Sequence, residues 1–298
     1  MTKDIFAVVV LRHNNFDKVI KALDSIYNEG SHDLLIILVD NGSSDGKLPD
    51  IKNRYDNLEV VISHDNLLYC SAYNIGIERA LSMGAKYINI AHDDSYDYSS
   101  NYFDIVRDVF ESDPLVGLVG SKCLGLSGKV AWGGENHKKL GVDMNTPTCG
   151  YTISKDAFNK IGLLDEKLGV YFEDLDFIQR LRDKGLITNY IDSISFTHMG
   201  SDVDDAANRH LGWRCHYYRV RNLFWFMKKH KKHMSSRLVF YSIKRILPFH
   251  FSTIRRVVFD LDFKNFVIIT SCVITGLFVG LFFPYVDSSK KHKSHQKA

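Results

Sequence analysis

The chain has 298 residues, of which 45% are hydrophobic and 24% are charged, so it is long enough to bury a large core in one or two domains. The net charge of +3 is unevenly divided: residues 1–208 carry 20 basic and 32 acidic side chains, a balance of −12, while residues 209–298 carry 18 and 3, a balance of +15. The five scattered cysteines form no C-x-x-C pair, which argues against a disulfide framework or a zinc site and favours a reducing compartment.

Strand-like and helix-like segments alternate through the first half of the chain. Short apolar runs predict strands at Ile5–Leu11, Leu34–Val39, Leu58–Ile62, Tyr87–Ala91, Val116–Cys123 and Cys149–Ser154. Apolar residues at helical spacing predict helices at Phe16–Tyr27 (capped by Asn14 or Asn15), Ala72–Met83, Tyr102–Ser112 and Lys155–Ile161, and from Glu173 to Gly185. This alternation is typical of an α/β fold with a mostly parallel sheet and helices on both faces.

Polar residues follow three of these strands. They are Arg12–Asn14, the loop Asp40–Gly46, and Asp93-Asp94-Ser95. In open α/β sheets ligands bind at the carboxyl ends of the strands, so we expect a nucleotide crevice there, with carboxylates for a divalent cation such as Mg²⁺ or Mn²⁺. The alternative is a set of ordinary turns, which also favour Asp, Asn and Ser. The absence of G-x-G-x-x-G after the first strand and of G-x-x-x-x-G-K-[ST] anywhere argues against dinucleotide and P-loop sites.

Five motifs, in this order and spacing, resemble an inverting glycosyltransferase of family 2 with the GT-A fold, of the rhamnosyltransferase or galactofuranosyltransferase type. The motifs are Val8–Asn14, Leu38–Gly46, Asn74–Ile77, His92–Asp94 and Tyr171–Asp176. The resemblance implies a Rossmann-like GT-A catalytic domain, which we expect to span residues 1–205.

The resemblance also implies roles for individual residues. Asp40 would contact the nucleobase, Asp93 the ribose or phosphate, and Asp94 the cation, Mn²⁺ or Mg²⁺, that bridges the two phosphates. The residues expected to bind the nucleotide sugar are Arg12, Asn14, Asp40, Asn66 and Asp93. One segment departs from the family, because Leu68, Ser71 and Ala72 stand where small, glycine-rich residues are usual, and glycines allow a close approach to a ligand.

Three acids lie within four positions at Glu173-Asp-Leu-Asp176, after an aromatic pair. Acids in a first helical turn complement the helix dipole, which explains why they are tolerated there but not why there are three. Inverting transfer needs a carboxylate that takes the proton of the acceptor hydroxyl. By residue-by-residue resemblance Asp174 is this base, with Glu173 its neighbour. A histidine at the distance of His198 completes the metal shell in related enzymes, although a lone histidine is more often structural.

The acceptor side is less defined. Trp132, beside two glycines, is either a sugar-stacking platform or a packing residue. From His210 the chain is basic and aromatic, which suits a membrane interface over residues 206–262. The same composition would suit RNA, but no RNP, KH or zinc-finger signature supports a nucleic-acid partner. Resemblance to enzymes that use lipid-linked acceptors predicts that Arg219 and Arg221 bind the diphosphate of such a lipid.

Phe266–Phe283 is free of charge over 18 residues, about 27 Å as a helix, so we expect a membrane segment at residues 263–286, which either crosses the membrane or lies on it, followed by a basic tail at 287–298. The alternative is a helix that packs on the catalytic domain. Gly276 and Gly280 form a G-x-x-x-G helix-pairing pattern, and a homodimer is a candidate assembly. Ile5–Leu11 is too short for a signal peptide, so the catalytic part is expected on the cytoplasmic face of the cell membrane.

Together these observations predict a membrane-associated, metal-dependent glycosyltransferase that moves a sugar from a UDP- or dTDP-linked donor to a lipid-linked or growing saccharide with inversion. One alternative is a sugar-phosphate nucleotidyltransferase, which would normally carry a glycine-rich loop after the first strand, where Leu11–Asn15 has no glycine. The other is a non-catalytic scaffold with a degenerate transferase fold.

Overall fold

The computed structural model describes residues 4–132, 150–199, 213–231 and 263–285. In these ranges the chain forms one sheet of nine strands, covered by helices. The strands are β1 (Phe6–Arg12), β2 (Leu34–Asn41), β3 (Leu58–Ser63), β4 (Tyr87–His92), β5 (Ser95–Tyr96), β6 (Val116–Leu124), β7 (Val130–Trp132), β8 (Thr152–Ser154) and β9 (Ile187–His198). The helices are α1 (Phe16–Asn28), α2 (Leu48–Arg54), α3 (Leu68–Ser82), α4 (Tyr102–Ser112), α5 (Lys155–Ile161), α6 (Glu173–Arg182), α7 (Trp213–Lys229) and α8 (Phe263–Phe282).

The strand order is β3-β2-β1-β4-β8-β6-β9-β5, with β7 paired to β6. The β1–β2, β1–β4, β2–β3 and β6–β9 pairs are parallel, and the β4–β8, β6–β8, β5–β9 and β6–β7 pairs are antiparallel. The sheet is therefore mixed: its long strand pairs are parallel, as predicted, and its antiparallel pairs are short and were not predicted. The strands that reverse direction, β5, β7 and β8, are only two or three residues long, so they carry no periodic pattern that a sequence could reveal.

The core lies on both faces of this sheet. In β1, Phe6, Val8 and Val10 pack with α1 and α4, whereas Ala7 and Val9 pack with α3 and α5. All five side chains are fully buried. Burial on both faces explains why the strand reads as a continuous apolar run rather than an alternating one.

Two helices begin differently from the prediction. Asn15 stands at the N-cap position of α1, but it has a left-handed backbone and its side chain makes no capping hydrogen bond. Helix α3 begins at Leu68 rather than at Ala72, and Leu68 itself has a φ of +65°. A glycine would take this conformation without strain. Leu68 therefore replaces the small residue usual in the family at a position where the backbone favours glycine.

Helices α7 and α8 pack against each other. A Cβ atom added to Gly276 would lie 2.8 Å from the carbonyl oxygen of Tyr217, and one added to Gly280 would lie 3.1 Å from that of Arg221. The G-x-x-x-G pattern thus serves a helix contact within the chain, and a homodimer stays a prediction. Across the described ranges, no helix is both long enough and apolar enough to span a bilayer, so the predicted membrane segment at 266–283 is not supported as a span.

Candidate active site

The loops after β1 and β2 are tied together by Arg12. Its side chain is fully buried, and it donates from Nη1 to Asp40 Oδ2 at 3.0 Å and from Nη2 to Asp45 Oδ2. Asp40 also accepts a hydrogen bond from the backbone N–H of Ser43 at 3.0 Å. Arg12 therefore fixes the loop that carries Asp40, and its burial favours an indirect role over the predicted contact with a nucleotide.

The asparagines after β1 extend this network to the neighbouring loops. The backbone N–H of Asn14 donates to Ser43 Oγ at 2.8 Å, and its side-chain oxygen accepts from the N–H of Ser44 at 2.9 Å. Asn15 donates to Asp93 Oδ2 at 3.2 Å. The three polar strand ends predicted to converge do lie together at one edge of the sheet.

Asn66 belongs to the same edge, after β3. Its side-chain oxygen accepts from the backbone N–H of Leu68 at 3.0 Å and from Asn41 Nδ2 at 3.3 Å. These bonds hold the left-handed turn at Leu68. Contact of Asn66 or Asn14 with a nucleotide sugar stays a prediction.

His92, Asp94 and His198 form a group in which one ligand atom from each lies within 4.8 Å of the others. His198 Nε2 lies 3.1 Å from Asp94 Oδ1 and 3.3 Å from His92 Nδ1. The antiparallel pairing of β5 with β9, in which Ser95 faces His198, brings the distant histidine to this place. Carboxylate and imidazole are suitable ligands for a divalent transition metal, so the donor set fits the predicted cation.

Asp94 and the preceding residue, Asp93, have pKa values shifted in opposite directions. Burial, followed by the charge of Asp94, raises the pKa of Asp93 to about 6. Burial also opposes ionisation of Asp94, but the hydrogen bond and charge of His198 more than offset it and lower its pKa. Burial, followed by the charge of His198, lowers the pKa of His92 to about 4, so His92 is neutral and can offer a lone pair.

The acid pair Glu173-Asp174 begins α6, directly after Tyr171 and Phe172, which both have left-handed backbones. Glu173 and Asp174 are 7% and 8% exposed. Glu173 Oε2 is buried with no hydrogen-bond partner among the described residues. Burial, followed by the charge of Asp174, raises the pKa of Glu173 to about 8.

The third acid of the cluster, Asp176, points elsewhere. It is fully buried and bonds to Arg180 at 2.8 Å, Lys229 at 2.8 Å and His230 at 2.8 Å. Its role is thus to join α6 to the end of α7. Within the acidic cluster, Asp176 is therefore a structural carboxylate.

Contacts of helix α3 reach both the group of His92, Asp94 and His198 and the segment that leads to the acid pair. Tyr69 OH lies 3.2 Å from His92 Nε2. The backbone N–H of the next residue, Cys70, donates to the carbonyl oxygen of Gly169 at 2.9 Å, four residues before Glu173. Burial and then the charges of Glu173 and Asp174 raise the pKa of Tyr151. That the two acidic motifs form one site stays a prediction, and no individual role was predicted from the sequence for Tyr69 or His92.

The comparisons with known proteins agree with this geometry. Residues 7–121 match the model of the glycosyl transferase family 2. Residues 7–121 therefore carry a glycosyl transferase family 2 domain. The resemblance drawn from the sequence motifs is confirmed, and the nucleotidyltransferase and scaffold alternatives are not favoured.

The curated relatives of this glycosyltransferase include two named for rhamnosyl transfer. The dTDP-rhamnosyl transferase RfbF of Shigella flexneri is 25% identical over 258 residues, which cover 77% of this chain and 81% of the relative. The N-acetylglucosaminyl-diphospho-decaprenol L-rhamnosyltransferase of Mycobacterium tuberculosis is 23% identical, with coverages of 70% and 86%. Among solved structures, a Pyrobaculum calidifontis mannosyltransferase with GDP-Man and Mn²⁺ superposes with a TM-score of 0.58 at 14% identity, covering 93% of this chain and 87% of the other, which supports a shared fold.

The three residues predicted to bind the acceptor have different surroundings in the structure. Trp132 ends β7, and its side chain lies outside the described residues. The guanidinium of Arg219 lies 4.6 Å from the ring centre of Tyr171, next to the acid pair. Arg221 is 7% exposed and donates to the carbonyl oxygens of Lys167 and Leu168, so its placement does not favour the predicted contact with a lipid diphosphate.

Proposed function

We propose that this glycosyltransferase moves a deoxyhexose of the L-rhamnose class from a dTDP- or UDP-linked donor, with inversion, to a lipid-linked or growing saccharide. The observation that carries the proposal is the group of His92, Asp94 and His198, which helix α3 contacts through Tyr69 while Cys70 of the same helix bonds to Gly169 in the segment before Glu173 and Asp174. The sugar and acceptor classes are supported by the names of the two curated relatives, one for dTDP-rhamnosyl transfer and one for a diphospho-decaprenol acceptor.

In this proposal Asp174 is the general base. It accepts the proton of the acceptor hydroxyl as that oxygen attacks the anomeric carbon, on the side opposite the leaving nucleoside diphosphate. With its raised pKa, Glu173 is mostly protonated at neutral pH, so it adds no second negative charge beside the base. A neutral Glu173 can also donate a hydrogen bond to the acceptor or to Asp174.

At the donor end Asp94 and His198, with His92, would hold the divalent cation. A divalent cation bound there would offset the negative charge that develops on the leaving diphosphate. Asp94 is suited to this role because its pKa is low, and a bound cation would take the place of the proton through which His198 bonds to Asp94. Asp40, held by Arg12 and Ser43, keeps acceptor capacity for a nucleobase N–H such as the one that uracil and thymine carry.

The localisation we propose is peripheral, on the cytoplasmic face of a membrane with anionic lipids. Large apolar side chains are exposed along α8: Val267, Ile274, Leu277, Phe278, Leu281 and Phe282. The balance of +15 over residues 209–298 complements an anionic surface. An apolar stripe with basic flanks is the pattern of a helix that lies in the membrane interface.

The catalytic proposal is tested by donor turnover with the purified protein. We expect nucleoside diphosphate release from dTDP-rhamnose to exceed release from other nucleotide sugars, to stop with EDTA and to return with Mn²⁺. With a diphosphate-linked saccharide acceptor, NMR should show a product of opposite anomeric configuration to the donor. Retained configuration, or turnover that EDTA does not affect, would contradict the proposed mechanism.

The membrane proposal is tested by co-sedimentation with phosphatidylglycerol vesicles. We expect binding that weakens in the double variant Phe278→Asp/Leu281→Asp and with salt, but not in the control Leu126→Asp, which changes an exposed leucine elsewhere (54% exposed). Equal binding by the double variant, or a concentration-dependent dimer that it abolishes in the absence of vesicles, would contradict a lipid-facing role for α8.

A further inference from the structure

Asn222, on α7, makes an unusual set of contacts with the segment that leads to the acid pair. It is fully buried, and its Nδ2 lies 2.9, 2.8 and 2.8 Å from the carbonyl oxygens of Leu168, Val170 and Tyr171. A side-chain amide has two N–H groups, so three carbonyl oxygens share both of them. One side chain thus fixes most of the backbone between residues 168 and 171.

The amide is itself held in place by its neighbour. Asn222 Oδ1 accepts from Arg221 Nε at 2.9 Å and from Nη2 at 2.7 Å. These bonds settle which end of the amide is the acceptor, so that Nδ2 faces the carbonyl oxygens. The same Arg221 Nη2 also donates to Lys167 and Leu168, which binds the segment a second time.

The backbone segment that Asn222 holds contains residues in an intrinsically unfavourable conformation. Tyr171 and Phe172 have φ values of +67° and +73°, a left-handed conformation that is unfavourable for any residue with a side chain. Such residues persist only where the surroundings over-determine them. Phe172 packs on Phe226 of α7 at 5.8 Å, and Arg219 of α7 covers Tyr171, so one face of α7 supplies the support.

We infer that Asn222 is a positioning residue for the base: by holding the carbonyl oxygens of residues 168–171 it fixes the strained turn that aims Asp174 at the acceptor. This inference rests on the proposed function of Asp174. It gives α7 a part in catalysis that neither its basic composition nor its helical pattern indicates. Arg221 acts one step further away, by orienting the amide of Asn222.

A separate anchor makes the inference testable. At the far end of α7, Lys229 donates to Asp165 at 2.6 Å and lies 2.8 Å from Asp176, which also bonds to His230. These contacts do not involve residue 222. Removing the amide is therefore expected to release the turn at 168–172 while α7 stays docked on α6.

The variant Asn222→Ala is compared with Val220→Ala, a buried residue of the same helix that packs toward Gly276 instead of the turn. We expect Asn222→Ala to lower kcat by about 10- to 100-fold, because a displacement of about 1 Å can cost that much, with KM for the donor within about twofold of wild type. Val220→Ala should lose thermal stability while keeping kcat within about twofold. Hydrogen exchange of amides 169–174 should be faster in Asn222→Ala alone.

The exchange measurement separates the two proposals. If the wild-type chain turns over no nucleotide sugar, the proposed function fails. Faster hydrogen exchange at residues 169–174 that occurs only in Asn222→Ala would still show that Asn222 holds this turn. Unchanged exchange at residues 169–174, or a loss of kcat in Val220→Ala that equals the loss in Asn222→Ala, would overturn the inference.

Discussion

The chain has two pairs of neighbouring acids, Asp93-Asp94 and Glu173-Asp174, and the surroundings of the two pairs differ. Asp93 and Asp94 have a histidine beside them, and His198 keeps Asp94 ionised. In the second pair, Glu173 Oε2 has no hydrogen-bond partner among the described residues. Burial raises the pKa of Glu173 to about 8. The first pair is therefore suited to hold a cation, and the second to handle a proton.

The comparison teaches that two carboxylates in sequence do not define a role by themselves. Asp93 and Asp94 are only partly buried and His198 bonds to Asp94, whereas Glu173 is buried and its Oε2 has no partner among the described residues. Removing His198 from the first pair, or the titratable carboxyl of Glu173 from the second, should make the two pairs behave more alike. The following changes test this difference, from the largest expected effect to the smallest.

The replacement Asp174→Asn should lower the rate of sugar transfer by about 10²–10⁴-fold, since general base catalysis contributes about that much. Donor binding, measured by the nucleotide-dependent rise in thermal midpoint, should be kept. Asp183→Asn, an exposed acid at the end of the same helix, is the control and should be active. Full transfer by Asp174→Asn would place the base elsewhere.

The replacement His198→Ala removes the positive partner of Asp94. We expect the Mn²⁺ concentration for half-maximal activity to rise by at least about 10-fold, because even indirect partners of metal ligands affect affinity by about 10–100-fold. His64→Ala, at an exposed histidine in the loop after β3, is the matched control. A metal dependence that is identical in both variants would remove His198 from the cation site.

The replacement Glu173→Gln should stabilise the protein in a pH-dependent way. Because the folded-state pKa of Glu173 lies above its ordinary value of 4.5, wild-type stability from this group is full at low pH and is lost as pH rises to about 8. A glutamine avoids this loss, so its advantage should be small at pH 5 and several degrees in thermal midpoint at pH 8.5. The exposed Glu78→Gln should show no such trend. An equal effect at both pH values would show that Glu173 is ionised in the folded state across this range.

The smallest effect is expected for Tyr69→Phe. Loss of the hydroxyl 3.2 Å from His92 Nε2 frees the imidazole to turn, which should weaken Mn²⁺ binding by about 10-fold or less while the fold is kept. Tyr27→Phe, at a tyrosine that is 38% exposed, is the control. Unchanged Mn²⁺ affinity would limit Tyr69 to packing between the two acid pairs.

The sequence predicted the parts of this site that depend on local pattern. Asp40 and Asp94 follow apolar runs that could only be buried strands, and Glu173 begins a helix, so their places at the sheet edge and helix start were readable. The pairing of β5 with β9 joins residues about a hundred positions apart through a strand of two residues, and no local pattern indicates it. His198 was found only through family resemblance.

Other features could not be predicted because they depend on contacts between distant segments. Arg12 was expected to meet the nucleotide, but only the fold shows that Asp40 and Asp45 enclose it. Asn222 lies 51 residues after Tyr171 in a basic, aromatic stretch, and its composition favoured a membrane interface. The mixed sheet was missed for a similar reason, since its reversed strands are very short.

The glycine-mediated fit of α8 on α7 has a practical consequence for shortened chains. Deleting the apolar C-terminal helix is an obvious way to obtain a better-behaved enzyme, yet it would uncover the side of α7 opposite Asn222. The loosened helix would then support the turn before Asp174 less firmly. Inactivity of such a truncated enzyme would thus be the result expected from a damaged catalytic scaffold, even when the sugar acceptor is fully water-soluble.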